Sequence, residues 1–187
     1  MFERVDVFMK KIIFVIITIV VAFLVYVNVN ADEIVIPSSA IRFRVIANSN
    51  SIYDQKIKMY VKDYVDNYLG SMLVGIDDIE DAKNIIESEL KNLKIGIEEI
   101  LDNNNYDGDF VISYGKNFFP DKLYKGIRYK SGNYDSLVII IGEGEGDNWW
   151  CVLFPPLCLL ESKNNELESV DYQFFVKELI DKIFLNS

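Results

Sequence analysis

The chain has 187 residues, 29 of them acidic and 19 basic, for a formal net charge of −10, and it contains no histidine. That charge repels nucleic acid and anionic membrane surfaces, so neither is expected as a ligand. The missing imidazole removes the commonest zinc ligand and the base of Ser–His and Cys–His nucleophile pairs. Two cysteines alone do not make a zinc site, so no metal or other cofactor is expected.

The first segment reads as an export or anchoring element. Arg4, Lys10 and Lys11 precede an apolar run from Ile12 to Val27 in which Thr18 is the one interruption. As a helix at about 1.5 Å per residue the run would be roughly 24 Å long, against a bilayer core of about 30 Å. It is long for a signal-peptide core and short for a span. Val29-Asn30-Ala31 offers a small residue for signal peptidase. Residues 1–31 are therefore read as a signal peptide or, if retained, a membrane anchor over residues 12–27. Basic residues before the run and Asp32 and Glu33 after it place the rest of the chain outside the cytoplasm. The membrane is expected to be touched only through this segment. With three basic and two acidic residues in the leader, residues 32–187 carry 16 basic and 27 acidic, a net of −11.

Residues 32–40, with Pro37-Ser38-Ser39, read as a linker to a domain over 41–187. Ile41-Arg42-Phe43-Arg44-Val45 alternates with period two, as in a half-buried strand. After the polar loop of Ala47 to Ser51, a helix is expected from near Asp54, with Ile57, Val61, Tyr64, Val65, Tyr68 and Leu69 on one face. A second helix is expected from Asp77 or Asp78 to the stop at Asn103-Asn104-Asn105. Beyond Asp107-Gly108 the pattern becomes strand-like: Phe110 to Tyr114, a hairpin of Tyr124–Tyr129 with Ser136–Ile141 around Ser131-Gly132-Asn133, and Trp150 to Phe154. A last helix is expected from about Asp171 to Leu185. The implied class is α+β: one domain with a mixed, mostly antiparallel sheet covered by helices, behind the N-terminal hydrophobic helix.

Several constellations have residues that could carry chemistry. Gly142-Glu143-Gly144-Glu145-Gly146 follows a strand, but a phosphate loop needs a helix next and no competing carboxylates. Here a Trp-rich strand follows, so a flexible connection between strands is the better reading. Cys151 and Cys158 flank Pro155-Pro156. In an exported protein an even cysteine count makes a disulfide the default, with buried free thiols as the alternative, and spacing alone does not bring the Cα atoms within bridging range. Trp149 and Trp150 fall on opposite faces of their strand. Arg42 and Arg44 share one strand face, where pairing with local carboxylates is favoured over partner recognition. Glu143/Glu145 and Asp77/Asp78 could serve as hydrolytic carboxylate pairs, a weak signal among 27 acids.

Particular strings carry a resemblance. Ile41 to Ser51 (IRFRVIANSNS) followed by Asp54-Gln55, then Phe119-Pro120 with Tyr124, Gly132-x-Tyr134, and Ile139 to Cys158 (IIIGEGEGDNWWCVLFPPLC) resemble the stage II sporulation protein R family over about residues 40–160. Lys130-Ser131 and Val138 depart from the usual pattern. The resemblance implies a protein made in the forespore and exported into the space between forespore and mother cell. There it would activate a membrane-embedded aspartic protease that processes the mother-cell sigma-factor precursor. It would be a ligand for that protease and not an enzyme. Partner contact is expected around Asn48, Asn50, Trp149 and Trp150, with Arg42 and Arg44 nearby. The competing expectation is an exported cell-wall hydrolase using carboxylates or Cys151.

Overall fold

The computed structural model describes residue 11 and residues 13–22, 34–158 and 169–185. The chain divides into two compact units, Met1–Glu33 and Ile34–Ser187. In the first, residues 13–22 form a helix, α1, with exposed apolar side chains. The end of the apolar run and the Val29-Asn30-Ala31 site lie outside the described residues. No helix among the described residues is long and apolar enough to cross a membrane.

The second unit begins earlier than the sequence suggested. Ile34–Val35 form a short strand, β1, parallel to a later strand, and Ile36 and Ala40 are buried. The stretch read as a linker is thus part of the domain, because its apolar residues have a pocket to fill. β2 (Ile41–Ile46) follows with the expected alternation. α2 (Ile52–Leu73) starts at Ser51, whose hydroxyl accepts from the Asp54 backbone N–H. Asp54 lies in the first turn and is not the cap. α3 (Ile79–Asn103) is capped by Asp78, which accepts from the N–H groups of Glu80 and Asp81.

The remaining strands are β3 (Phe110–Phe119), β4 (Lys122–Tyr124), β5 (Ile127–Tyr129), β6 (Gly132–Ile141) and β7 (Asn148–Phe154); helix α4 (Ser169–Ile180) then runs into a π-helical turn at Asp181–Leu185. They form two mixed sheets instead of the single sheet expected. The larger has the order β3-β6-β2-β7, with β2 parallel to β6 and antiparallel to β7; the smaller has the order β1-β5-β4. The expected hairpin is also different. β6 pairs along its whole length with β3, from Phe110 opposite Ile141 to Phe119 opposite Gly132. The segment between them makes its own hairpin, β4–β5, around Lys125 and Gly126, both at positive φ (47° and 79°). That is the type I′ geometry a two-residue turn needs. Ten consecutive pairings with β3 outcompete the few that β5 could offer β6.

The larger sheet has two covered faces. Ile41, Phe43, Val45, Leu137, Ile139, Ile141 and Leu153 pack against α2 and α3 through Ile57, Val61, Val65, Leu69, Ile86, Leu93 and Ile97. On the other side, Val152 joins Ile36, Ile127, Tyr129, Leu157, Tyr172 and Val176 in a second cluster under the small sheet and α4. Burial on both faces explains why β6 reads as a nearly continuous apolar run.

Candidate functional site

The alternation of β2 sends Ile41, Phe43 and Val45 to the helices and Arg42 and Arg44 to the opposite face. Arg42 is only 2% exposed, yet no carboxylate pairs with it among the described residues. The same holds for Arg44, so the expected pairing with local acids is not found. Aromatic rings take their place. The Arg42 guanidinium lies 4.8 Å from the Phe119 ring centroid, 5.0 Å from Tyr129 and 5.2 Å from Tyr134. Arg44 lies 5.1 Å from the Trp150 ring and 5.4 Å from Phe119. Phe119 in turn meets Trp150 edge-on at 5.1 Å and Tyr134 at 6.0 Å. Planar guanidinium groups stack on aromatic faces in this way, each contact contributing about 0.5–2 kcal/mol depending on desolvation.

The stacking does not satisfy the donors. Arg42 Nε donates to the Cys151 carbonyl at 3.3 Å, but Arg42 Nη1 and Arg44 Nε are buried with no hydrogen-bond partner, as is the indole Nε1 of Trp149. Leaving such a donor unpaired costs about 1–3 kcal/mol, and more for a charged group. Burial pulls both guanidinium groups below their ordinary pKa, an effect that Tyr129 and Tyr134 partly offset for Arg42. Beside them a cavity of about 240 Å³ lies between the hairpin and β7. Arg42, Lys122, Tyr124, Tyr129, Trp149 and Trp150 line it. Lys122 is exposed, with its ammonium 5.0 Å from the Trp150 ring.

The two tryptophans do diverge. Trp149 packs partly against the helix-side core with Lys62 Nζ 5.0 Å from its ring, whereas Trp150 stands on the arginine face. Asn48 and Asn50 are engaged inside the domain. Asn48 accepts from the Glu143 N–H at 3.0 Å and donates to Asp54 at 3.1 Å; Asn50 accepts from the Asp147 N–H at 2.7 Å. With backbone bonds from Glu145 and Gly146 to Asn48 and Ala47, they lock the glycine-rich loop to the loop after β2. The glycines are required there. A Cβ on Gly142 would collide with the Asn48 side chain, and one on Gly146 with the Ser49 carbonyl. The loop connects strands as expected, but it is close-packed where a flexible connection was expected, because these hydrogen bonds and glycine contacts hold it to its neighbour.

The carboxylate pairs are dispersed into other roles. Glu143 and Glu145 are exposed, Asp78 caps α3, and Asp77 pairs with Lys182 at 2.9 Å. Cys151 and Cys158 form a disulfide with Cα atoms 5.7 Å apart, made possible where the chain turns back at Pro155-Pro156. Among the described residues no cluster of acids and cysteines could hold a metal ion. What sequence reasoning missed is the aromatic lining: Phe119, Tyr124, Tyr129 and Tyr134 lie far from Arg42 in sequence, and only their abundance hinted at them.

A mixed α+β domain with a cation–aromatic cavity at a sheet edge defines a class of structure, and its sequence defines a family. Residues 37–164 match the family model described as stage II sporulation protein R, and the chain belongs to that family. It is 39% identical over 135 residues to stage II sporulation protein R of Bacillus subtilis (strain 168), a match covering 72% of this chain. The aligned stretch spans 60% of that relative's length. No solved structure matches the chain. Family membership places the chain among sporulation proteins.

Proposed function

We propose that this protein is an exported signal of endospore formation that activates a membrane-embedded aspartic protease, which then processes the mother-cell sigma-factor precursor. The observation that carries the reading is the family match over residues 37–164. The site is consistent in kind. Aromatic and arginine side chains at a recessed edge are the residues that dominate protein–protein recognition. A ligand of this sort works by binding the active state of its receptor better than the inactive one. Crossing the membrane, directed by the N-terminal segment, would deliver the domain to a receptor in the facing membrane.

The test is genetic and then biochemical. Deleting the gene should leave the sigma precursor unprocessed during sporulation, and restoring the full chain should rescue it. Co-producing the full chain with the protease and the precursor in a non-sporulating host should yield the processed form only when all three are present. Normal processing in the deletion strain would end this reading.

A further inference from the structure

We propose that the cavity between the β4–β5 hairpin and the edge strand β7 is a carboxylate-binding pocket that receives an acidic anchor side chain of a protein partner. The first support is a mismatch of donors and acceptors. Arg42 lines the cavity with Nη1 unpartnered. Arg44, one pleat along the same strand face, leaves Nε unpartnered. Both are donors, and no described acidic side chain pairs with either arginine. A carboxylate brings two acceptor oxygens and a negative charge, which is the group a guanidinium fork fits best.

The second support is charge. In a chain of net −10, this one edge gathers Arg42 and Lys122 with no acid in the lining, while Arg128, on the same hairpin, is already paired with Asp121 at 3.1 Å. The third is size. About 240 Å³ is below the roughly 300–1,000 Å³ of pockets for drug-sized ligands and suits one inserted side chain. Tyr124, Tyr129 and Trp150 would cover the apolar stem of that side chain while the cations take its head. Among the described residues β7 ends the order of its sheet, the position at which an extended segment of a partner would add a strand. The inference rests on reading the domain as a ligand for another protein, and it names the chemistry of the contact.

Both tryptophans of the chain line the cavity, so intrinsic fluorescence reports on it directly. The full chain, held in detergent micelles, is titrated with N-acetyl-Phe-Glu-Phe-amide, with the same peptide carrying Gln for Glu, and with free phenylacetate. No protease is present, so failure here removes the pocket and leaves the activation reading to its own genetic test. The Glu peptide should bind saturably and at least about tenfold more tightly than its Gln twin, consistent with a partly desolvated charge pair. Lys122→Glu, at an exposed position, should keep the native circular dichroism spectrum and abolish that preference. Arg42→Gln should abolish binding altogether if it folds; Lys122→Glu serves whether or not it does. Equal affinity for the Glu and Gln peptides, or a preference unchanged in Lys122→Glu, would overturn the proposal. Tighter binding of phenylacetate than of the Glu peptide would also overturn it, by assigning the pocket to a small free acid.

Discussion

Asp54 is a carboxylate kept ionised by hydroxyl and amide donors, with no cation beside it. The hydrogen bond from Ser49 pulls its pKa below the ordinary carboxylate value against the opposing effect of burial, and Asn48 and Ser51 add to the pull. A depressed folded-state pKa means that the unfolded chain takes up the proton more readily in mild acid. The stabilisation is therefore complete above about pH 4, the unfolded value, and is lost as pH falls through the lower folded value. Urea midpoints between pH 3 and 7 should fall at the acid end in the native chain. Asp54→Asn should be less stable at pH 7 and show a flatter acid limb. Gly146 makes a second single-residue prediction. Its missing Cβ is what lets the glycine loop meet the Ser49 carbonyl. Gly146→Ala should lower stability by about 1–3 kcal/mol, the usual cost of forced overpacking, read as a shift in the urea midpoint without a change in slope.

At the scale of elements, α2 buries a charged pair of its own as well as its apolar stripe. Lys62 Nζ lies 3.0 Å from buried Asp66 one turn on and 2.9 Å from Asp63, with the Trp149 ring above it. Burial would lower the Lys62 pKa, but the attraction of Asp66 and Asp63 wins and raises it. That contribution is present below about pH 10.4, the unfolded value, and is lost as pH rises through the raised folded value. Asp66→Ala should cost about 3 kcal/mol, the low end for breaking a buried pair because Asp63 remains. Lys62→Met with Asp66→Leu should recover most of that and lose the alkaline slope, measured as a double-mutant cycle. Legibility in the sequence followed the same division between local and distant. The helices were readable because period and caps are local: the Asp78 cap and the Asn103–Asn105 stop stand where they were expected. The β4–β5 turn was not, because Lys125-Gly126 lacks the Asn-Gly or Asp-Gly signature while adopting the same geometry. Of the candidate site, Arg42, Arg44, Trp149 and Trp150 were singled out in advance. Their aromatic neighbours arrive from β3, β5 and β6, which no local pattern could place beside them.

At the scale of the whole molecule, the Cys151–Cys158 bridge closes a short loop, with seven residues of separation, between the edge strand and the chain leading to α4. Loop-closure entropy for so short a ring suggests a contribution of about 2 kcal/mol. Replacing both cysteines with Ser should lower the urea midpoint by that amount, and a reducing agent should do the same to the native chain while leaving the double variant unchanged. The bridge also ties the wall of the cavity to the helix-side core, since both cysteines pack there and Cys151 belongs to the strand that carries both tryptophans. Its loss should loosen that edge first, visible as faster amide exchange in β7 than in β6.

By itself the sequence determined the export signal as an expectation, the class of fold, the helices, the Asp78 cap of α3 and the family. Each of these rests on periodicity, charge order or contiguous strings that survive without neighbours. Only the tertiary structure decided that β6 pairs with β3, that two sheets form instead of one, and that two arginines, with no acidic partner among the described residues, stack in an aromatic cage beside an open cavity. Those outcomes depend on contacts between residues up to about a hundred positions apart, such as Arg42 with Cys151. Such contacts are chosen by competition among pairings and by the shape of the packed faces, neither of which is written in any single stretch of chain.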